Sequence, residues 1–340
     1  MSGIVSYGYY VPRYRIKTET IAAQWGKCDD KIEKSLKVHE KAVAGLDEDV
    51  ATMSYAASTM AFGDIKETKQ SIGAVFIGSE TFPYAVKPVS TSIAEWLDIP
   101  HGYLALDTQF ACKAATGALI AAHGLVASKQ IDHALICAAD RANAKPNDAL
   151  EYAAGSGANA WVLGNENVLA EIEGWSSYSS DTPDFWRRSK QDYPSHAGRF
   201  SGEPGYFQHL LSASNNLLTK LNRTAENYTY AAFHMPNGAF PLKAAKSLGF
   251  TVDQLKASYI VPQLGNSYAA SALMGLVGTL EVAQPGETIF FCSYGSGAGA
   301  DAISFKVTKE ILKRRRVFAE TLQQKTYIDY ATYLRFMGMI

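Results

Sequence analysis

The chain states one unit twice. "AAGSGANAWVL" (Ala153–Leu163) returns as "SYGSGAGADAISF" (Ser293–Phe305), each a Gly-Ser-Gly-Ala turn running into an apolar stretch. The wider frame repeats too: Glu80 ends one apolar run 32 positions before Cys112, and His234 ends another 32 positions before Asn266. Small-residue, helix-like stretches follow both, "KAATGALIAAHGLVASK" and "NSYAASALMGLVGTLEVAQPGE". Matched spacing of this kind implies duplication. Two related halves packed face to face bring matching strand and helix ends to a shared interface, where α/β folds build their sites. The repeat therefore predicts that Glu80, Cys112, His234 and Asn266 converge.

The rest of the chain fits an α/β fold with helix-covered sheets. "SIGAVFIGSE", "HALICAAD", "NYTYAAFHMP" and "ETIFFCSYGSG" read as buried strands, and "DEDVATMSYAASTMAFG" as a helix with acids at its start and Gly63 at its end. A formal charge of -1 gives no electrostatic case for nucleic acid or an anionic membrane. The one dense basic cluster, "KRRR" (Lys313–Arg316), reads as a solvated helix face rather than a binding patch. No apolar run nears the ~18–20 residues that span a bilayer, and the N-terminus lacks a signal-peptide pattern. Four scattered cysteines (28, 112, 137 and 292) without a CxxC pair suggest neither zinc nor a redox pair; they fit reduced thiols in a cytoplasmic protein.

Cys112 admits two readings. Buried cysteines serve mostly as small apolar residues. A thiol beside a helix start, however, faces unpaired N–H groups and the positive dipole end, which lower its pKa and make it a nucleophile. Glu80 is either a strand-end carboxylate in water or a desolvated base, since burying it needs a task or a partner. His234 is either a core histidine or an acid tuned near neutrality. Asn266 can cap a helix, donate to a substrate oxygen, or both.

These motifs jointly resemble the thiolase superfamily, from residue 1 to about 310. Glu80 in "GSETFPYAVKP" narrows the resemblance to 3-hydroxy-3-methylglutaryl-CoA synthases, and "HMPNGAFPLKAAKSLGF" to the archaeal type. The resemblance implies a five-layered αβαβα thiolase-like fold, with halves at 1–167 and 168–308, a C-terminal tail at 309–340, and a homodimer formed through the first half. It implies condensation of acetyl-CoA with acetoacetyl-CoA and water, in the mevalonate route to isoprenoids. Cys112 is then the nucleophile, Glu80 the base and His234 the residue that positions and protonates the ketone oxygen. Asn266 and Ser296, in "GNSYAAS" and "YGSG", would donate to acyl oxygens, and Ser201 in "GRFSGEPGYF" would touch substrate. Lys243 would meet CoA phosphate, although Ala239 stands where relatives often carry a second basic residue. No metal and no cofactor beyond CoA thioesters is implied. Archaeal-type members also suggest a complex with acetoacetyl-CoA thiolase and a small zinc-ribbon/OB-fold protein. The aromatic tail "TYIDYATYLRFMGMI" could dock such a partner or pack on its own chain. The nearest rival, ketoacyl-ACP synthase III, shares a Cys-His-Asn set but has no counterpart of Glu80; a catalytically silent scaffold subunit is a further alternative.

Overall fold

The structure is a computed structural model and describes residues 2–340. Nine strands form the main sheet: β1 (Gly3–Tyr10), β2 (Ile72–Gly78), β3 (Leu104–Thr108), β4 (His133–Arg141), β5 (Ser156–Gly164), β6 (Ala170–Ser179), β7 (Tyr230–Phe233), β8 (Thr288–Gly295) and β9 (Gly299–Val307). Their order is β7-β8-β9-β6-β1-β5-β4-β2-β3. In the first half β1 runs antiparallel to β5, β5 antiparallel to β4, and β4 parallel to β2. The second half repeats this with β6, β9, β8 and β7. A two-residue antiparallel pairing, Gly3 with Glu171 and Ile4 with Ala170, joins the halves.

The strands are apolar on both faces because both faces are covered. One face of each half packs on two central helices, Ala114–Ala127 and Ser271–Val282, through Phe76, Ile136 and Trp161 on one side and Phe291, Ile303 and Phe305 on the other. The opposite faces pack outward, on helix Val50–Phe62 in the first half and on helix Phe207–Leu221 in the second. The result is five layers, αβαβα. Asp49 caps the first of these outer helices through the Thr52 N–H, so the acids sit just before its first turn.

The copies differ at one edge. In the first half β3 pairs in parallel with β2 and leaves Leu104 and Leu106 49% and 45% exposed. Among the described residues the second half has no such strand: the short helix Val252–Leu255 packs against β7, and the Ser258 hydroxyl donates to the Ala231 carbonyl of β7 at 2.7 Å.

The tail packs on its own chain. Thr326–Tyr327 pairs with Tyr14–Lys17, and Tyr330 and Tyr333 of the last helix are buried with Ile16, Ile21 and Tyr152. The basic cluster also departs from expectation. Lys313 alone makes an exposed pair, with Glu310. Arg314 donates to the carbonyls of Val5 and Asn167, Arg315 to that of Ala283, and Arg316 to those of Tyr7 and Met60 while pairing with Asp64. The chain recrosses the first half here, and the guanidiniums satisfy carbonyls of strand β1, of the ends of two helices and of a loop. Among the described residues no helix is long and apolar enough to cross a membrane.

Candidate active site

Strand β2 stops at Gly78, so Glu80 lies in the loop two residues beyond it rather than at the strand end itself. A Cβ on Gly78 would sit 2.3 Å from the Ala115 nitrogen, so only glycine lets the start of the central helix approach this closely. That approach sets the Cys112 thiol against Glu80: Sγ donates to Oε1 at 3.1 Å. From the second half, Gly295 closes in likewise, its absent Cβ otherwise 2.4 Å from the Phe110 carbonyl oxygen. Ala111, just before the cysteine, is held at φ 43°, and Tyr268, two residues after Asn266, at φ 47°. Such left-handed backbone costs about 1 kcal/mol or more at a non-glycine residue and persists only where the surroundings dictate it.

Asn266 is clamped across the halves. Its N–H donates to the Ala153 carbonyl at 2.7 Å, and its carbonyl accepts from the Gly155 N–H at 2.9 Å. The side-chain oxygen accepts from the Tyr268 N–H, and the side-chain amide acts to lower the Cys112 pKa. Ser296 lines the same cleft as Glu80, Tyr268, Phe185 and Arg187. Asp184 fixes the turn carrying it by accepting from the Tyr294 hydroxyl and the Gly297 N–H.

His234 follows β7 by one residue. Its N–H donates to the Cys292 carbonyl, its own carbonyl accepts from the Tyr206 hydroxyl, and its ring lies 6.2 Å from that of Tyr294. The ring is buried with Nδ1 unpartnered, and burial pushes its pKa down to about 3. The imidazole is therefore neutral, not poised near pH 7. Ser201 and Lys243 stand apart from this cluster. Ser201 opens an irregular helical turn (Ser201–Tyr206), while Lys243 is exposed with its ammonium 4.3 Å over the Phe207 ring. Cys137 and Cys292 are interior strand residues, the former against the Ser58 hydroxyl.

The thiol itself reverses an expectation. Burial, then the Glu80 charge and the hydrogen bond to it, push the Cys112 pKa well up, and the Asn266 donor offsets this only in part. Cys112 precedes the helix by two residues, so the carboxylate at 3.1 Å outweighs the dipole. Burial and then the Asp140 charge raise Glu80 to about 8, against smaller lowering effects of the Cys112 hydrogen bond and Arg187. Cys112 and Glu80 thus both hold their protons to higher pH than usual, in a site short of positive charge.

Sequence reasoning passed over Asp140. It ends "HALICAAD" as Glu80 ends its own run, and the same argument from a strand-end carboxylate would have found it. Buried, it accepts from the Ser79 and Thr81 hydroxyls and the Glu80 N–H on one oxygen, and from the Ala269 N–H on the other. It ties the Glu80 loop to the segment after Asn266. A second missed pair lies behind the nucleophile: Lys113 Nζ meets Asp301 of β9 at 2.9 Å, both buried, with Thr116 and Ser177 donating to the same carboxylate.

Comparison with known proteins locates this arrangement. The 3-oxoacyl-[acyl-carrier-protein] synthase III family matches residues 106–180, the stretch carrying Cys112 and Asp140. The hydroxymethylglutaryl-CoA synthase of Archaeoglobus fulgidus is 47% identical over 98% of this chain and 98% of its own, and that of Methanocaldococcus jannaschii 46% identical over 100% and 99%. The chain belongs to the hydroxymethylglutaryl-CoA synthase family. The fold agrees: a crystallised HMG-CoA synthase complexed with CoA superposes with a TM-score of 0.90 at 22% identity, covering 99% of this chain and 90% of that one. MvaS in complex with 3-hydroxy-3-methylglutaryl coenzyme A gives 0.89 at 24% identity, over 99% and 91%. In this member of the family, then, Glu80 and Cys112 face each other on a thiolase-like frame.

Proposed function

We infer that the chain condenses acetyl-CoA with acetoacetyl-CoA and water to give 3-hydroxy-3-methylglutaryl-CoA and CoA, in the mevalonate route. The observation that carries the mechanism is the Cys112 Sγ–H donated to Glu80 at 3.1 Å. Glu80 takes the thiol proton as the sulfur attacks the acetyl carbonyl, and Asn266 with backbone donors near Ser296 holds the oxyanion. The departing CoA sulfur takes that proton, restoring the Glu80 carboxylate. Once Cys112 is acylated it no longer donates to Glu80, so the carboxylate is free to remove a methyl proton. A base held near 8 suits a weak carbon acid better than an ordinary carboxylate does. The enolate adds to the acetoacetyl ketone, whose oxygen accepts a hydrogen bond and then a proton from the neutral His234 ring; the methyl proton held by Glu80 is returned to the ring, restoring both groups. Water hydrolyses the remaining thioester bond to Cys112.

Ser201 and Lys243 are assigned to the CoA arm, Lys243, whose ammonium stands over the Phe207 ring, toward phosphate. No cofactor beyond the CoA thioesters enters the chemistry. The exposed edge of β3 supports a homodimer through the first half, the free cysteines fit a reducing cytoplasm, and a complex with acetoacetyl-CoA thiolase and a zinc-ribbon/OB-fold protein would draw the unfavourable thiolase step forward. Because the tail is folded against its own chain, such partners would meet another surface.

Intact-protein mass spectrometry after incubation with acetyl-CoA tests the reading. An acetyl adduct mapped to Cys112, discharged by acetoacetyl-CoA with release of 3-hydroxy-3-methylglutaryl-CoA, is the expected result. Discharge only by malonyl thioesters would assign the chain to ketoacyl synthase chemistry instead. No adduct, alone or with partners, would leave a silent scaffold.

A further inference from the structure

A second cleft opens off the catalytic one and is lined by Thr81, Phe82, Arg141, Asn143, Arg187 and Met337. Thr81, Asn143 and Arg187 line both clefts, so the two are continuous. Among the described residues no acidic side chain lines the second, although two guanidiniums do. The arginines engaged in ion pairs are others, Arg15, Arg223 and Arg316. Arg187 is exposed and donates only to main-chain carbonyls, those of Gln191 at 3.3 Å and Glu80 at 3.2 Å. Arg141 donates to the Phe336 carbonyl, and its Nε is buried without a partner. Glu48 and Asp49 act on Arg141 electrostatically without pairing with it.

We propose that this cleft is a carboxylate subsite, which receives the carboxylate formed when the acyl bond to Cys112 is hydrolysed. The proposal rests on the synthase reading above. Both substrates enter with thioester and ketone groups and no free carboxylate at their acyl ends. In hydrolysis the carbon–Sγ bond breaks, a bond from carbon to the water oxygen forms, one water proton returns to sulfur and the other is lost from the new acid. The product therefore gains a negative charge beside Glu80 and Asp140, which repel it. Arg187, bonded to the Glu80 carbonyl, is the cation at hand, and Arg141 lies beyond it. Paired guanidiniums with free N–H groups match a carboxylate in shape and charge. Moving the carboxylate into this cleft clears the sulfur for the next acetyl group and disfavours re-esterification.

Full-length Cys112→Ala, which cannot turn over, allows direct calorimetric titration with 3-hydroxy-3-methylglutaryl-CoA and with acetoacetyl-CoA. The two share the CoA moiety and differ in the carboxylate. Adding Arg187→Gln or Arg141→Gln should weaken binding of the product by about tenfold or more, as expected for a lost charge-assisted contact, and leave acetoacetyl-CoA within about twofold. Arg187→Lys should recover most of the loss. Equal losses for both ligands, or none for the product, would overturn the subsite while leaving the synthase reading intact. A Cys112→Ala parent that binds neither thioester would overturn the synthase reading and the subsite together.

Discussion

Replacing Glu80 by Gln should make the protein more stable while disabling it. The amide keeps the shape and an acceptor for the Cys112 thiol but removes a charge the site holds poorly. The Glu80 carboxyl is raised from its ordinary 4.5 to about 8. The folded state therefore keeps a proton that the unfolded chain releases, and the native protein loses stability as pH climbs through that window. At ~1.4 kcal/mol per pH unit the full shift would amount to about 3 kcal/mol by pH 7. Glu80 is partly exposed and accepts a hydrogen bond from the Cys112 thiol, so about 1–2 kcal/mol is the working figure. Denaturant unfolding of Glu80→Gln and parent, at one fixed protein concentration and at pH 5 and 7.5, measures it. The variant should lead by that margin at pH 7.5 and by close to nothing at pH 5. A variant less stable at pH 7.5, or a gap that ignores pH, would refute the account of Glu80 as a desolvated base. In the same samples, exchange of acetyl-CoA methyl protons with solvent deuterium should vanish.

His234→Gln should still form acetyl-Cys112 but discharge it about 10²–10⁴-fold more slowly on adding acetoacetyl-CoA, read by quenched-flow mass spectrometry. Asp140→Asn removes a charge that raises Glu80, so the pH at which condensation becomes fast should move downward; a profile of kcat/KM against pH checks the direction. Lys113→Met strands the buried Asp301 carboxylate and should destabilise the fold by about 3–5 kcal/mol, with Asp301→Leu in the same chain recovering part of it; denaturant midpoints decide.

Duplication made the site readable from sequence, because equal spacings become equal positions once two copies pack on shared central helices. Equal spacing singled out Glu80, Cys112, His234 and Asn266; the structure sets the Cys112 thiol against Glu80, whereas His234 is not among the residues lining the cleft that holds Glu80 and Ser296. Ser201 and Lys243 came only from resemblance, and they lie outside that cleft. What escaped was set by contacts between distant segments. The pKa of Cys112 turned on burial and then on a carboxylate 32 residues away rather than on its own helix, and His234 owes its neutral ring to burial that no local pattern reports. The role of the arginines at 314–316 depended on which carbonyls the returning chain would cross. Asp301 lies inside an apolar strand, where a charged residue is legible only as an anomaly until Lys113 is seen opposite.

The unequal edges of the two halves bear on how far copies of this chain can associate. An unpaired strand is a template, and a sheet with templates at both ends can add copies without limit. Here β3 offers one such end, while at the other the Ser258 hydroxyl and the short helix Val252–Leu255 meet the outer side of β7. A sheet open at one end only can be extended by a second copy meeting it across a two-fold axis, and growth then stops. A strand present in one copy of the repeat and absent from the other thus separates a finite pair from a fibre.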